Sequence, residues 1–401
     1  MPPAQIAALR TPEGQAALAS AGELVGGDRL AAVAALRAAG HPAEVVGAAL
    51  TQAELRERAA AKFGADAARM FFTRDGLQQA TRSPVAARRA ARLAADPGVR
   101  RIADLCCGVG ADTFAFARAG LSVIAVDADP ETAAVVRANA DALGLADRVE
   151  VVCGDAAELP LHDVDAVFCD PARRAGGRRV FDPRAYTPPW EFLVSLAERV
   201  PRTVLKLGPG IDHALIPAGV EAEWVSVAGE VVEAALWHGR YAEVPRRATL
   251  LPAADPVPAA GVAPGVELTG SGERVGEVGA VRAVLYDPDG AVVRAHLVAE
   301  LADQLDATLL DPRIAYLSGD AVVPTPFARA YAVRDVLPFS VKRLRATLRE
   351  RGVGRLTIKK RASALVPEEL RRMLRLAGDA EATVVLTRIA GRPYTLLVDP
   401  V

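Results

Sequence analysis

The chain has 401 residues, 51% of them hydrophobic, with 48 basic and 49 acidic side chains for a formal charge of -1. At about 100 to 200 residues per domain this length predicts more than one core, and the balanced charge excludes a global pull toward nucleic acid or membrane, so any basic site has to be local. The four cysteines, Cys106, Cys107, Cys153 and Cys169, lack the spacing of a disulfide framework or zinc site, no apolar run reaches the roughly 18 residues of a membrane span, and the N-terminus lacks a signal layout, so no metal and a cytoplasmic location are expected.

Residues 1–95 read as a helical domain, because apolar residues recur at three- and four-residue spacing in "DRLAAVAALRAAG" and "HPAEVVGAALTQAELRERAAAKFG". Pro42 suits the first turn of the second of these helices. The texture changes at Val99. From there "RIADLCC", "LSVIAVDAD", "VEVVCGD", "DAVFCD", "RTVLKLGP", "AALWHG" and "RATLLP" read as strands, and "TFAFARAG", "PETAAVVRANADALG" and "PWEFLVSLAERV" as helices. Strand then helix, repeated, predicts a parallel sheet with right-handed crossovers over 96–252. Pro252, Pro256, Pro258 and Pro264 mark a linker over 253–265. Residues 266–401 read as α+β, with helices at "SVKRLRATLRERG" and "VPEELRRMLRLAG", a strand at "RLTIKKR" and a hairpin in "TVVLTRIAGRPYTLLV".

"DLCCGVGADT" puts Asp104, Gly108 and Gly110 at the turn between the first strand and its helix. Missing side chains let a ligand approach the backbone there, and the helix amino end offers free N–H donors. A nicotinamide site would carry a third glycine or alanine where Thr113 stands. An acidic residue at the strand's exit repels a pyrophosphate and suits a cationic ligand carrying an amine. Asp127 closes the second strand 17 residues after Gly110, where a carboxylate can accept both hydroxyls of a ribose. Asp155 closes the third, where a side chain can contact an adenine edge. Asp170-Pro171 closes the fourth, completing a polar row along the carboxyl edge of one sheet. The alternative for Asp127 and Asp155 is that they only cap their strands.

With that row in place, Val99 to Leu251 resembles the class I S-adenosylmethionine-dependent methyltransferases. "CGVGADTFAFARAGLSVIAVDADP" together with "ANADALGLADRVEVVCGDA" is most similar to the trimethylguanosine synthase group of RNA guanine-N2 methyltransferases. The resemblance implies an α/β fold with a Rossmann-like seven-stranded sheet and S-adenosylmethionine as cofactor. It places Asp104, Gly108 and Gly110 along the methionine portion, Asp127 at the ribose and Asp155 at the adenine. Amino-group methyltransferases carry (Asn/Asp/Ser)-Pro-Pro-aromatic after the fourth strand. Asp170 and Pro171 match, while Ala172 replaces the second proline and Arg173 the aromatic residue. By that resemblance Asp170 and the Pro171 carbonyl hold an exocyclic amine, and Arg173 either stacks on the base or grips a phosphate. C5 methylation of a pyrimidine needs a thiolate; no cysteine follows Cys169, which lies inside the fourth strand.

Arg174, Arg178 and Arg179 in "DPARRAGGRRVFD" are candidate grips on a phosphate backbone, with Tyr186 and Trp190 as candidate stacking surfaces; an ordinary solvated loop is the alternative. Upstream, Phe72 and Arg74 in "MFFTRD", beside Phe71 and Thr73, form part of the pocket by the same resemblance, or else dock the helical domain on the sheet. Downstream, residues 329–375 hold fourteen basic and four acidic side chains. Such a local basic face fits phosphate binding, and its "LTIKKR", with Lys359, Lys360 and Arg361, looks like a THUMP-like domain. A solvated helix face is the alternative. The expected function is methylation of a base in structured RNA (tRNA or rRNA) at an exocyclic amine. A small-molecule methyltransferase and a non-catalytic binder of the cofactor and RNA are the rivals.

Overall fold

A computed structural model describes residues 2–172, 174–175, 178–179, 182–252 and 265–401. Arg173 and residues 253–264 of the linker expected over 253–265 lie outside the described residues. The chain opens with α1 (Pro3–Arg10), α2 (Pro12–Gly22), α3 (Arg29–Ala38), α4 (Ala43–Phe63), α5 (Arg74–Gln79) and α6 (Ser83–Ala94). Short polar residues start three of them, Thr11 accepting from Gly14 N–H, Asp28 from Ala31 N–H and Thr73 from Gly76 N–H. Each satisfies a donor that the first helical turn leaves unpaired. There follow β1 (Arg101–Leu105), α7 (Ala111–Arg118), β2 (Ser122–Asp127), α8 (Pro130–Leu143), β3 (Val149–Cys153), β4 (Ala166–Cys169), the two-residue strands β5 (Arg174–Ala175) and β6 (Arg178–Arg179), α9 (Trp190–Arg199), β7 (Thr203–Leu207), β8 (Glu221–Val227), β9 (Glu230–Trp237) and β10 (Arg246–Leu251).

Two compact units result. The first comprises Met1–Val220, Glu233–Glu243 and Leu251–Pro264, the second Glu221–Val232, Val244–Leu250 and Gly265–Val401. In the first, neighbouring strands run β9-β7-β4-β1-β2-β3. All pairs are parallel except β7 with β9. β4 and β7 are buried at every position, as parallel strands covered on both faces have to be. From β1 the chain moves outward through β2 to β3 and returns to β4 on the other side. That reversal is where open α/β sheets bind ligands. Leu105 lies opposite both Val126 and Cys169, so the next residues of the three strands, Cys106, Asp127 and Asp170, share one edge.

The helices of residues 1–95 have no core of their own. Leu9, Leu50 and Phe72 belong to the same hydrophobic cluster as Ile102, Val123 and Phe168. Two buried amides tie the segment after α4 to that cluster. Gln52 accepts from Phe72 N–H at 2.9 Å and donates to its carbonyl at 2.7 Å. Asn139 of α8 accepts from Phe71 N–H at 2.6 Å and donates to the carbonyls of Phe71 and Val109.

The polar side chains of β8 and β10 pair inside the second unit. Fully buried Glu221 takes Arg247, which also reaches Glu267, while Thr249 donates to Glu223 and Ser226 to Asp289. The second unit continues with β11 (Val266–Gly270), β12 (Val284–Pro288), α10 (Gly290–Arg294), α11 (Val298–Gln304), β13 (Thr308–Asp311), β14 (Ile314–Gly319), β15 (Ala328–Pro338), α12 (Val341–Glu350), β16 (Val353–Lys360), α13 (Pro367–Leu374), β17 (Ala380–Ile389) and β18 (Arg392–Pro400). A seven-stranded sheet in the order β13-β14-β12-β15-β18-β17-β16 carries α12 and α13, whose Leu344, Leu348, Leu370 and Leu374 pack on Leu356, Val384 and Leu397. No helix among the described residues is long and apolar enough to cross a membrane.

Asn139→Ala strands buried groups on Phe71 and Val109 and should lower stability by about 1–3 kcal/mol, read as an earlier urea midpoint. Arg10→Ala, which removes only an exposed pair with Asp141, should cost less than about 1 kcal/mol.

Candidate active site

Beyond Leu105 the chain turns through Cys106, Gly108 and Gly110, all left-handed with φ of 63°, 56° and 89°. A Cβ at Gly110 would lie 2.5 Å from the Phe114 ring, so that glycine is needed for both conformation and space. Cys106 is the non-glycine residue of the run, and its backbone strain of about 1–3 kcal/mol sits at the wall of a cavity of about 770 Å³. This volume falls in the roughly 300–1,000 Å³ range of small-ligand sites. The cavity is walled by the glycine loop, the carboxyl ends of β1, β2 and β4, the first half of α4 and the segment from Phe72 to Thr81. Among the described residues its lining holds eight acidic side chains and one cation, Arg74.

Asp104, Gly108, Asp127, Asp170, Pro171, Phe72 and Arg74 all line this cavity. Asp104 is fully buried; one oxygen accepts from the Thr113 hydroxyl at 2.5 Å and the other has no partner. Burial foremost, then the neighbouring Asp112, holds its carboxyl well above the usual range, against the opposing Thr113 hydrogen bond. Asp127 accepts from Gly108 N–H and Asp129 N–H, each at 3.0 Å, and burial raises its pKa too. It therefore braces the loop, while each of its oxygens keeps a second lone pair. Phe72 is fully buried and Arg74 exposed.

Other expected residues lie elsewhere. Gly110 shapes the turn and is outside the lining. Asp155 is exposed, is not part of the cavity and caps a turn by accepting from Ala157 N–H at 2.8 Å. Arg174, Arg178 and Arg179 stand in the β5–β6 hairpin, Arg174 opposite Arg179, and Arg173 lies outside the described residues. Tyr186 is buried and Trp190 begins α9, neither at the cavity wall; the rings that reach it are Phe72 and Phe168. In the second unit Lys359 and Arg361 both pair with Asp287 and lie over the rings of Tyr331 and Tyr316. Lys360 donates to the Leu365 carbonyl.

Sequence reasoning missed a buried chain of charges behind the cavity. Lys206 of β7 donates to Asp170 Oδ2 at 2.5 Å and to the Thr81 hydroxyl at 2.8 Å. Thr81 in turn donates to Asp112 at 2.5 Å. Arg89 of α6 pairs with both Asp112 and Glu233, its guanidinium 4.5 Å from the centre of the Phe168 ring. Lys206, Thr81, Asp112, Arg89 and Glu233 are each at most 6% exposed. The available signal was a lysine in a strand otherwise reading "TVLKL", because a charge between buried apolar neighbours has to be paired.

An acid whose folded-state pKa is raised contributes stability that is fully present below its unfolded value, 3.8 here, and is lost as pH rises through the folded value. Asp104→Asn keeps an acceptor for Thr113 and cannot ionise. Its melting temperature should fall less than that of the wild type as pH is raised above that point. Parallel melting curves would show that Asp104 stays charged in the folded protein.

Three sequence families match. Residues 102–174 match a methyltransferase domain, 328–400 a THUMP domain-like family and 3–59 a domain of unknown function. An uncharacterized S-adenosylmethionine-dependent methyltransferase of Mycobacterium tuberculosis (strain H37Rv) is 36% identical over 352 residues, covering 84% of this chain and 90% of that protein. A stretch of 110 residues, 26% of this chain and 24% of the relative, is 32% identical to the 23S rRNA (uracil(1939)-C(5))-methyltransferase RlmD of Acidithiobacillus ferrooxidans. Among solved structures, one described as a methyltransferase from Porphyromonas gingivalis W83 superposes with a TM-score of 0.70 at 24% identity, over 90% of this chain and 91% of that one.

Proposed function

The chain belongs to the S-adenosylmethionine-dependent methyltransferases, and we propose that it methylates a base in structured RNA, tRNA or rRNA, at an exocyclic amine held by Asp170 and the Pro171 carbonyl. The observation that carries this reading is the Asp170-Pro171 pair standing on the same cavity wall as the unpartnered Asp104 oxygen. The cofactor's chemistry fits the donor set. When bound, it supplies a methyl group on a positively charged sulfur. A buried carboxyl oxygen without a partner suits its ammonium group, and the acidic lining favours its net positive charge. On the acceptor side, Asp170 offers an oxygen and Pro171 a carbonyl, so the chain's own contribution is to orient an amine and keep water away.

The trimethylguanosine synthase resemblance supports guanine N2 as that amine. RlmD acts on a uracil C5, a chemistry that needs a thiolate. Cys169 is the last cysteine of this chain and is fully buried within β4, which favours an amine over a ring carbon. RNA as the partner is supported by the THUMP domain-like match and the basic stretch of residues 329–375. Within that stretch Lys359, Lys360 and Arg361 are already engaged by Asp287 and the Leu365 carbonyl. We therefore assign the phosphate contacts first to Lys342, Arg343 and Arg372, which are exposed on α12 and α13 and have no acidic partner among the described residues.

Tritiated S-adenosylmethionine incubated with RNA from cells lacking the enzyme should label a discrete RNA with the wild type and not with Asp170→Ala, which removes both carboxylate oxygens. Label confined to the small-molecule fraction of the same cells would replace RNA with a small acceptor. The triple alanine variant of Lys342, Arg343 and Arg372 should bind RNA with a salt slope shallower by about 3 on a log-log plot, and an unchanged slope would remove α12 and α13 from the RNA interface.

A further inference from the structure

β4 and β7 run parallel with Cys169 opposite Leu205, so Asp170 and Lys206 are the next neighbours at the carboxyl end of both strands. Lys206 is 3% exposed, where an isolated ammonium would not be tolerated. Its Nζ meets that demand with Asp170 Oδ2 and the Thr81 hydroxyl. Thr81 donates its own hydroxyl hydrogen bond to Asp112 Oδ2. Because that hydroxyl donates to Asp112, only its lone pairs face Lys206, and the direction of the chain is fixed. Asp112 belongs to the first turn of α7, the helix that follows the glycine loop, and is locked from behind by Arg89. The ammonium thus joins the end of β4, the segment that covers the cavity and the helix of the cofactor loop.

One consequence concerns Asp170. Its side chain is 25% exposed at the cavity wall with Oδ2 engaged, and Oδ1 has no donor among the described residues. A carboxylate held by a single oxygen presents the other in a set direction. We propose that Lys206 is the positioning residue of the acceptor site, pinning Asp170 through Oδ2 so that Oδ1 meets the amine to be methylated. This rests on the assignment of Asp170 made above. A buried ion pair is weak evidence for a stabilising role, since apolar residues of similar volume often serve as well. The geometry instead fits orientation, because the lysine spans two partners that belong to different walls of one cavity.

The test uses the full-length protein with Lys206→Met, Asp170→Ala and the double variant. S-adenosylmethionine binding is measured by calorimetry. Tritium transfer is measured into both the RNA and the small-molecule fractions of cells lacking the enzyme. Lys206→Met should lower turnover about a hundredfold, the effect of misplacing a reacting group by an ångström, and leave cofactor affinity within about twofold. Added to Asp170→Ala it should cost no more than about a further twofold, because residues acting as one unit do not add. Lys206→Arg should restore part of the loss. If Lys206→Met multiplies the Asp170→Ala defect in full, or leaves turnover at the wild-type value while Asp170→Ala is inactive, Lys206 does not act through Asp170 and the inference falls alone. Wild-type turnover in Asp170→Ala, or no label in either fraction with the wild type, would instead remove the assignment of Asp170 and the inference with it. Should Lys206→Met fail to fold, Thr81→Val leaves the ion pair intact and removes its second anchor. Its turnover should fall about tenfold at unchanged cofactor affinity, and an unaltered rate would overturn the proposal.

Discussion

β1 lies between β2 and β4, and everything the molecule does at its cavity depends on that placement. Because Leu105 is opposite both Val126 and Cys169, three acidic residues that are far apart in the chain, Asp104, Asp127 and Asp170, arrive at one sheet edge. The hydrogen bonds of a parallel ladder fix this register along each strand, and a slip by one residue would turn these side chains to the opposite face. The same constraint brings the glycine turn against Asp127, which accepts from Gly108 N–H of that turn with one oxygen and from Asp129 N–H after β2 with the other.

So many acids in one partly buried place repel one another, and the protein answers with cations placed behind the wall instead of within it. Arg89 and Lys206 are buried against Asp112, Glu233 and Asp170, leaving the buried cluster one negative charge in excess when all five are ionised. Arg89 stays charged there, because Asp112 and Glu233 outweigh the burial that would lower its pKa. Burial nevertheless raises the pKa of Glu233 and of Asp104. A cationic ligand relieves this excess, so the apo site holds an unfavourable arrangement that binding improves. Sites of this kind trade stability for function, and the cavity rim of Thr73, Arg74 and Asp75 adds little to offset it.

The parts of the site that depend on chain order were legible in the sequence, and those that depend on tertiary meeting were not. Asp104, Gly108, Asp127 and Asp170 each lie within a few residues of a strand's carboxyl end, so their common edge could be read once the strands alternated with helices. Arg89 and Glu233 are separated by 144 positions, and nothing local to "ARRAARLA" or "EVVEAALW" indicates that they meet. Asp155 shows the limit from the other side. A residue that ends a strand reads the same whether it faces a ligand or, as here, accepts from the backbone two residues on. Helical periodicity announced a buried face in residues 1–95 but not its partners, which include α7 and α8 beside the other helices of the segment. Composition likewise counted the basic side chains of residues 329–375 without separating Lys359 and Arg361, held by Asp287, from Lys342 and Arg343.

The acidic lining also bears on how an RNA substrate would be held under the proposed reading. A cavity with eight acidic side chains and one arginine among the described residues repels a phosphate and tolerates a neutral base, so only the base enters and the backbone stays outside. An extruded base costs unstacking, and no phosphate contact inside the cavity is there to offset it. The favourable contribution has to come from cations beyond the lining. α12 and α13 provide exposed basic residues of that kind, in a chain whose total charge is close to zero. Under that reading, separation of charge by region, acidic around the cavity and basic on α12 and α13, would let a nearly neutral protein serve a polyanion without drawing its phosphates into the reaction site.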